Sequence, residues 1–377
     1  MKISNVKKIA FASFVIAACA IFSGCQDVIY ATIRKEVKLT DANIRGDIRS
    51  IVRFDNHFYL ANGNIYKKSE TSTSHGGWEK TSAPSGRVIK LAADKSNIYA
   101  LVANSKEDEK EGENVPVDRV LYYSSNGSSW NKVTGITGFT SGVIPYKVGG
   151  NTVETILFCT NAINSDNRKA YFILRSENTS VGYVAYHLNG NSADEKWEKG
   201  TTNEPSVSNA DTKPCCNKDK VSQSCVAVGS DVRFFWSTGS CTNETKSTDA
   251  TVYYYGDGST LKWGGATSGS KSAYASIYSM AYSSDFLLVG TTGGISHHPL
   301  ADKVPGSYSR TFSTNADSTL SNAYTILTLM TVNPDLAEEK TIIYASQTYT
   351  GSGSNSAQFD HVCLWAYYPD RHEWNRE

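Results

Sequence analysis

Side-chain chemistry needs groups that can converge, and this sequence offers few sets of that kind. His297 and His298 are adjacent imidazoles without a third ligand nearby. On an extended strand they point to opposite faces, which does not make a metal site. Ser268-x-x-Lys271 has the spacing of an acylating serine and its lysine, but it lies in a Gly/Ser run. Gly-x-Ser-x-Gly elbows and phosphate loops ending Gly-Lys-Ser/Thr do not occur. No catalytic residue, metal or cofactor is expected.

Two further groups have binding or cross-linking chemistry. Arg45-Gly46-Asp47 holds a guanidinium and a carboxylate apart across a Gly, directly before the β-run IRSIVRF. It is the tripeptide that integrins read on matrix proteins, and it is also a common turn before a strand. Of the eight cysteines, Cys19 lies in an export leader and Cys25 at its end. The other six are Cys159, Cys215, Cys216, Cys225, Cys241 and Cys363, an even number that suggests disulfides in an exported chain. No Cys-x-x-Cys pair favours zinc. Bridges among Cys215, Cys216, Cys225 and Cys241 would tie a long linker to the strands after it.

The elements that position these groups are hairpins. VLYYSSNGSSWNKV (Val120 to Val133) reads as a strand, a Ser/Asn/Gly turn and a Trp opening a second strand. Looser copies place a ring at Trp78, Trp197, Trp263, Tyr308 and Trp374, at intervals of 45 to 67 residues. A hairpin cannot bury its own apolar face, so the copies must stack and share a core. Amphipathic helical periods are absent after residue 25. The expected fold is all-β: a β-propeller of six blades, with seven admitted, each of four antiparallel strands, with IRSIVRF, HFYLANG and NIYKK in the first blade, VIPYKVG (Val143 to Gly149) opening the third and SCVAVGS (Ser224 to Ser230) opening the fourth. SSNGSSW (Ser124 to Trp130) resembles the Asp-box hairpin of sialidases and related propellers. Gly127 and Trp130 match it, while Tyr123 and Ser125 stand where Ser and Asp are usual. That resemblance implies a propeller and carries no catalytic role.

Lysines and arginines equal aspartates and glutamates at 37 each, which does not suggest a nucleic-acid partner. Residues 1 to 24 read as an export leader: Lys2, Lys7 and Lys8, then the apolar run Ile9 to Ile21, too short to span a membrane. Its end, Phe22-Ser23-Gly24-Cys25, resembles the lipobox of bacterial lipoproteins, with Phe22 departing from the usual Leu as in looser spirochaetal boxes. The resemblance implies that Cys25 is acylated and becomes the mature N-terminus, a stable anchor if two or more chains are attached. Residues 25 to 44 would be a tether or a strand that closes the ring, and 45 to 377 the propeller.

In a propeller, the d-to-a and b-to-c connections emerge on one face. The insertions Ser105 to Asp118, Ala162 to Lys169, Gly239 to Ala250 and Tyr349 to Asp360, the linker Thr201 to Lys220, and Arg45 to Asp47 are all expected there. A loop-rich face on a rigid ring is a binding surface. The lipobox style and propeller plan resemble spirochaetal surface lipoproteins, some of which are adhesins for fibronectin or laminin. The expected function is therefore a lipid-anchored envelope protein, on the outer rather than the inner membrane. It would bind a protein or glycan of the host matrix, or an integrin. The alternatives are a periplasmic propeller scaffold that assists outer-membrane assembly and, third, a glycan-active enzyme.

Overall fold

Period-two apolar runs separated by Gly, Asn, Asp and Ser turns dictate antiparallel meanders, and meanders are what form. The structure, a computed structural model, describes residues 41–198 apart from 73–74, 104–116, 160, 162, 177–180 and 182. It also describes 233–238 and 251–256, and 277–377 apart from 292–293, 302–303, 306–309, 312–323, 338–339, 350–361 and 372. Residues Ala42–Glu377 form one compact unit.

The first blade is β1 (Ser50–Phe54), β2 (His57–Ala61), β3 (Ile65–Ser69) and β4 (Glu79–Thr81), paired in that order. The second is β5 (Arg87–Ala93), β6 (Ile98–Ala103), β7 (Arg119–Ser124) and β8 (Asn131–Lys132), with β9 (Val143–Ile144) also on β7. In the third, β10 (Lys147–Val148) precedes β11 (Asn151–Cys159), β12 (Ala170–Ser176), β13 (Tyr183–Asn189) and β14 (Ser192–Glu198). A two-stranded ribbon, β15 (Arg233–Thr238) with β16 (Thr251–Gly256), follows. Next come β17 (Ile277–Tyr282), β18 (Phe286–Thr291) and β19 (Gly294–Ala301), the last pairing with β20 (Val304–Pro305) and β21 (Arg310–Thr311). The last blade is β22 (Tyr324–Thr331), β23 (Ile343–Tyr349), β24 (Leu364–Tyr368) and β25 (Glu373–Arg376).

Among the described residues the arrangement is propeller-like with five blades, not the six or seven expected. The blade expected in fourth place is present only as the ribbon; its proposed first strand and its Trp263 strand lie outside the described residues. A second correction concerns the third blade. Val143 and Ile144, expected to start it, pair with Val120 and Arg119 of β7 and belong to the second. Its innermost strand is instead β11, so Ala162 to Lys169 is an a-to-b connection on the face opposite to the one expected.

The first strands of the blades are innermost: β1 meets β5 and β22, β5 meets β11, and β17 meets β22. Cores fill the spaces between blades. Val52, Phe54, Ile65, Leu91, Ile98 and Val102 lie between the first and second, and Leu101, Leu121, Val153, Leu157 and Phe172 between the second and third. Polar ties cross the same gaps. Ser50 Oγ accepts from Leu91 N at 2.8 Å, and Tyr99 Oη accepts from Gly190 N at 2.7 Å while donating to Asp94 Oδ2 at 2.6 Å. In the hairpin at Ser124–Trp130, Asn126 Oδ1 accepts from Ser128 N and Ser129 N, each at 2.9 Å. Asn126 thus organises the turn, at a position other than the two the family resemblance points to. Gly127, at φ 68°, lets the backbone approach Tyr59 Oη, which would lie 2.5 Å from a Cβ. Trp130 Nε1 donates to Ser82 O of the first blade at 3.2 Å.

The gap between the first and last blades holds a buried ion pair. Lys68 Nζ lies 2.9 Å from Glu377 Oε2, and the two residues are 1% and 0% exposed. The same oxygen accepts from Trp78 Nε1 at 3.0 Å and Gly76 N at 3.1 Å, and Tyr368 Oη donates to Oε1. The backbone closes beside it: Asn43 N and Ile44 N donate to Glu377 O at 2.6 and 3.1 Å, and Leu364 N donates to Ile44 O at 3.0 Å. The backbone segment that closes the first blade on the last is Asn43 to Gly46, and residues 25 to 40, with Cys25, lie outside the described residues.

Removing one member of this pair strands a buried charge. Lys68→Met should lower unfolding free energy by about 3 to 5 kcal/mol, and adding Glu377→Gln should restore part of the loss. Urea denaturation of the two single variants and the double variant measures this; additive losses would mean that the charges are not coupled.

Candidate binding face

Strand direction decides which side chains share a face. Arg87 opens β5 and faces Ala103, the end of β6, which in turn faces Arg119, the start of β7. The two arginines therefore stand at the same end of the second blade, two strands apart, about 10 Å by sheet spacing. That end carries the d-to-a and b-to-c connections. Gly63 N donates to Val88 O at 3.1 Å and Val88 N to Gly63 O at 2.9 Å, which joins the b-to-c turn of the first blade to the second. A Cβ on Gly63 would lie 3.5 Å from Arg87 Cγ. Arg49 N donates to Ala61 O at 3.1 Å beside this turn, and Asn62 Nδ2 donates to Arg45 O at 3.2 Å. Arg45, Arg49, Arg87 and Arg119 are thus gathered on one face.

Lys90, deeper on β5, belongs to the same positive cluster. Burial pushes its ammonium down to about 8, and Arg49 acts in the same direction while Cys159 opposes. Arg119 is lowered by burial first, then by Arg87; Arg49 adds to this, and Asp118 opposes it. Asp118 Oδ1 is already accepting from Tyr146 N at 3.0 Å. Among the described residues, Arg49, Arg87, Lys90 and Arg119 make no ion pair with a carboxylate.

Cations on the opposite face are used differently. Arg53, 6% exposed, pairs with Glu70 and donates through Nη2 to Val332 O. Arg168 Nη1 donates to Arg53 O at 3.2 Å, and Asn161 Nδ2 donates to Thr331 O at 3.1 Å and Thr331 Oγ1 at 2.9 Å. The a-to-b connection of the third blade is thereby pinned to the first and last blades.

A cleft of about 610 Å³ opens between the second and third blades. Phe139, Thr137, Thr140 and Ser141 line one wall, and Leu174, Val184 and Tyr186 the other. Val143 and Pro145 also line it, and they flank Ile144, the residue paired with Arg119.

Arg45 and Asp47 are exposed, but the tripeptide is not a free turn. Arg45 forms an antiparallel bridge with Cys363, and Gly46 N donates to Val362 O at 2.9 Å. Of the disulfide candidates, Cys159 on β11 is a thiol that burial pushes up to about 11, and it is not joined to Cys363 in the last blade. Cys215, Cys216, Cys225 and Cys241 lie outside the described residues. His297 and His298 face Leu288 and Leu287 of β18, and among the described residues no group of three His, Cys, Asp or Glu could hold a metal. The cluster itself had a sequence signal: RVIKLAAD and RVLYYSS each open a strand with Arg at the loop end.

The model of the TP013X lipoprotein family matches residues 2–294, more than three quarters of the chain. The chain belongs to the TP013X lipoprotein family. A relative in Treponema pallidum (strain Nichols), described as an uncharacterized lipoprotein, is 27% identical over 140 residues. The match covers 36% of this chain and only 32% of the relative. In overall arrangement the chain is similar to the SapL1 lectin in complex with α-methyl fucoside, with a TM-score of 0.43 at 10% identity, over 89% of this chain and 95% of that one. It is also similar to Sqt1 of Saccharomyces cerevisiae, with a TM-score of 0.41 at 9% identity, over 87% and 72% of the two chains.

Lys90 offers a test of the cluster's electrostatics. With a native value of about 8 against an ordinary 10.5, its charge costs stability in full below about pH 8, and the cost vanishes as pH rises to 10.5. Lys90→Met should therefore raise the urea midpoint at about pH 6 and give almost no gain at about pH 10.5. An equal gain at both pH values would mean that the effect is packing and not charge.

Proposed function

We propose that this lipoprotein is held in the cell envelope by acylated Cys25 and binds a macromolecule of the host extracellular matrix through the d-to-a/b-to-c face, without catalysis. The outer membrane is its address in this reading. The observation that carries it is the gathering of Arg45, Arg49, Arg87 and Arg119 on one end of a closed ring, beside the cleft at Phe139. Complementary charge steers a partner onto such a face and fixes its orientation. Membership of a lipoprotein family supports the anchor. Integrin recognition through Arg45-Gly46-Asp47 is the weaker form of the reading, because the backbone of Arg45 and Gly46 is already paired to the last blade.

The full chain in detergent micelles, passed over immobilised fibronectin and laminin, should bind at least one of them. Shortening 105–118 and 349–360 together, in a variant that keeps its melting temperature, should weaken that binding about tenfold or more, as expected for loss of part of an interface. A soluble Arg-Gly-Asp peptide should not compete. Unchanged affinity in the shortened variant would remove this face from the reading. Protease cleavage on intact cells, with a periplasmic control left uncut, checks the address; full protection would turn it to the periplasm.

A further inference from the structure

We propose that the strip from Arg49 and Arg87 across Arg119 into the Phe139 cleft binds an acidic polysaccharide, a glycan chain carrying sulfate and carboxylate groups, on the face already assigned to partner binding.

Charge comes first. Removal of the leader leaves 34 basic against 37 acidic residues, so the body is weakly acidic and the cluster of Arg49, Arg87, Lys90 and Arg119 is a local excess. Two of these cations are raised in energy by the others: Arg119 by Arg87 and Arg49, and Lys90 by Arg49. An anion relieves that repulsion, and no carboxylate of the described residues does so through an ion pair. The spacing comes next. Arg87 and Arg119 stand two strands apart, about 10 Å between backbones, and Arg49 stands at the start of the neighbouring blade's inner strand. A ligand that engages all three carries several charges along an extended chain.

The cleft distinguishes one polyanion from another. Its volume of about 610 Å³ is that of a site for a few small rings. The half-buried ring of Phe139 offers an apolar face to the C–H face of a sugar, and the exposed Thr137, Thr140 and Ser141 offer hydroxyl partners to its alcohols. An acidic peptide is captured by strand addition to an open edge or by deep side-chain pockets. Here the outer edge of β7 is already occupied by β8 and β9. An aromatic ring face and hydroxyls next to guanidinium groups fit a charged glycan better.

Heparin is the probe. The full chain in detergent micelles should be retained on immobilised heparin at low salt and released as NaCl screens the charges. Arg87→Gln combined with Arg119→Gln should weaken retention about tenfold or more. Phe139→Ala should weaken it while leaving the dependence on salt unchanged. Arg371→Gln, an exposed position in the c-to-d turn of the last blade, should behave as the wild type. Thermal melts of all variants keep misfolding separate from loss of the site. Three results would overturn the proposal: no retention of the wild type at low salt, retention unchanged in the double variant, or displacement by polyglutamate as effective as by dextran sulfate at equal charge. If the wild type ignores heparin yet still binds fibronectin or laminin through this face, the glycan is refuted while the binding face stands.

Discussion

Everything in the ring depends on one carboxylate. Glu377 Oε1 and Oε2 receive donors from Lys68, Gly76 and Trp78 in the first blade and from Tyr368 in the last. A charge this deep is tolerated only when every lone pair finds a donor, and here four groups converge on two oxygens. The surroundings are aromatic. Lys68 Nζ sits 5.8 Å from the Trp78 ring and 5.6 Å from the Tyr344 ring, and burial, with the nearby Glu377 charge second, pushes the Tyr344 phenol up. The pair joins first and last blades that are far apart in sequence, so its formation carries a large loop-closure entropy that the rest of the ring must offset.

Closure has a consequence for the binding face. The backbone segment that completes it, Asn43 to Gly46, runs directly into Arg49 and β1. Arg45 is therefore held by the same hydrogen bonds that lock the first blade to the last, Arg49 by Ala61 O within the first blade, and Arg87 through the Gly63–Val88 bridge. Cations carried on paired strand ends lose little freedom on binding, so a partner gains more of their electrostatic attraction than it would from a mobile loop.

The strands were legible because local periodicity decides them. IRSIVRF, HFYLANG and NIYKK became β1, β2 and β3 within a residue or two, because short β-branched and aromatic runs bounded by Asn, Asp and Gly turns specify strands even where both faces are buried, as in β1 and β2. The third blade was misread for a physical reason as well. Val143 and Ile144 are β-branched and apolar, yet they continue the outer strand of the second blade after an excursion at 134–142, a pairing that periodicity cannot assign to one neighbour or the other. Burial of Lys68 and Glu377 was not legible at all. Each reads as an ordinary surface charge, and only the meeting of residues 309 apart makes them a core pair. The binding cluster was legible in part: arginines at strand starts were visible, but which of them end on one face follows from topology.

The two ends of the ring put arginine to opposite uses. Arg53 and Arg168 are almost wholly buried, and they spend their donors on Glu70 and on the carbonyls of Val332, Arg53 and Ile163. Those contacts fix the third blade against the first and the last. Arg49 and Arg87 are exposed, and with Lys90 and Arg119 they repel one another without ion-pair relief among the described residues. A fold selected for stability alone would dilute such a cluster with acids, because like charges in contact lower stability and a neutral or paired set would not. Its presence at the end of the ring where the inner strands begin, next to a cleft with a ring face and hydroxyls, is a stability cost that a bound polyanion would offset.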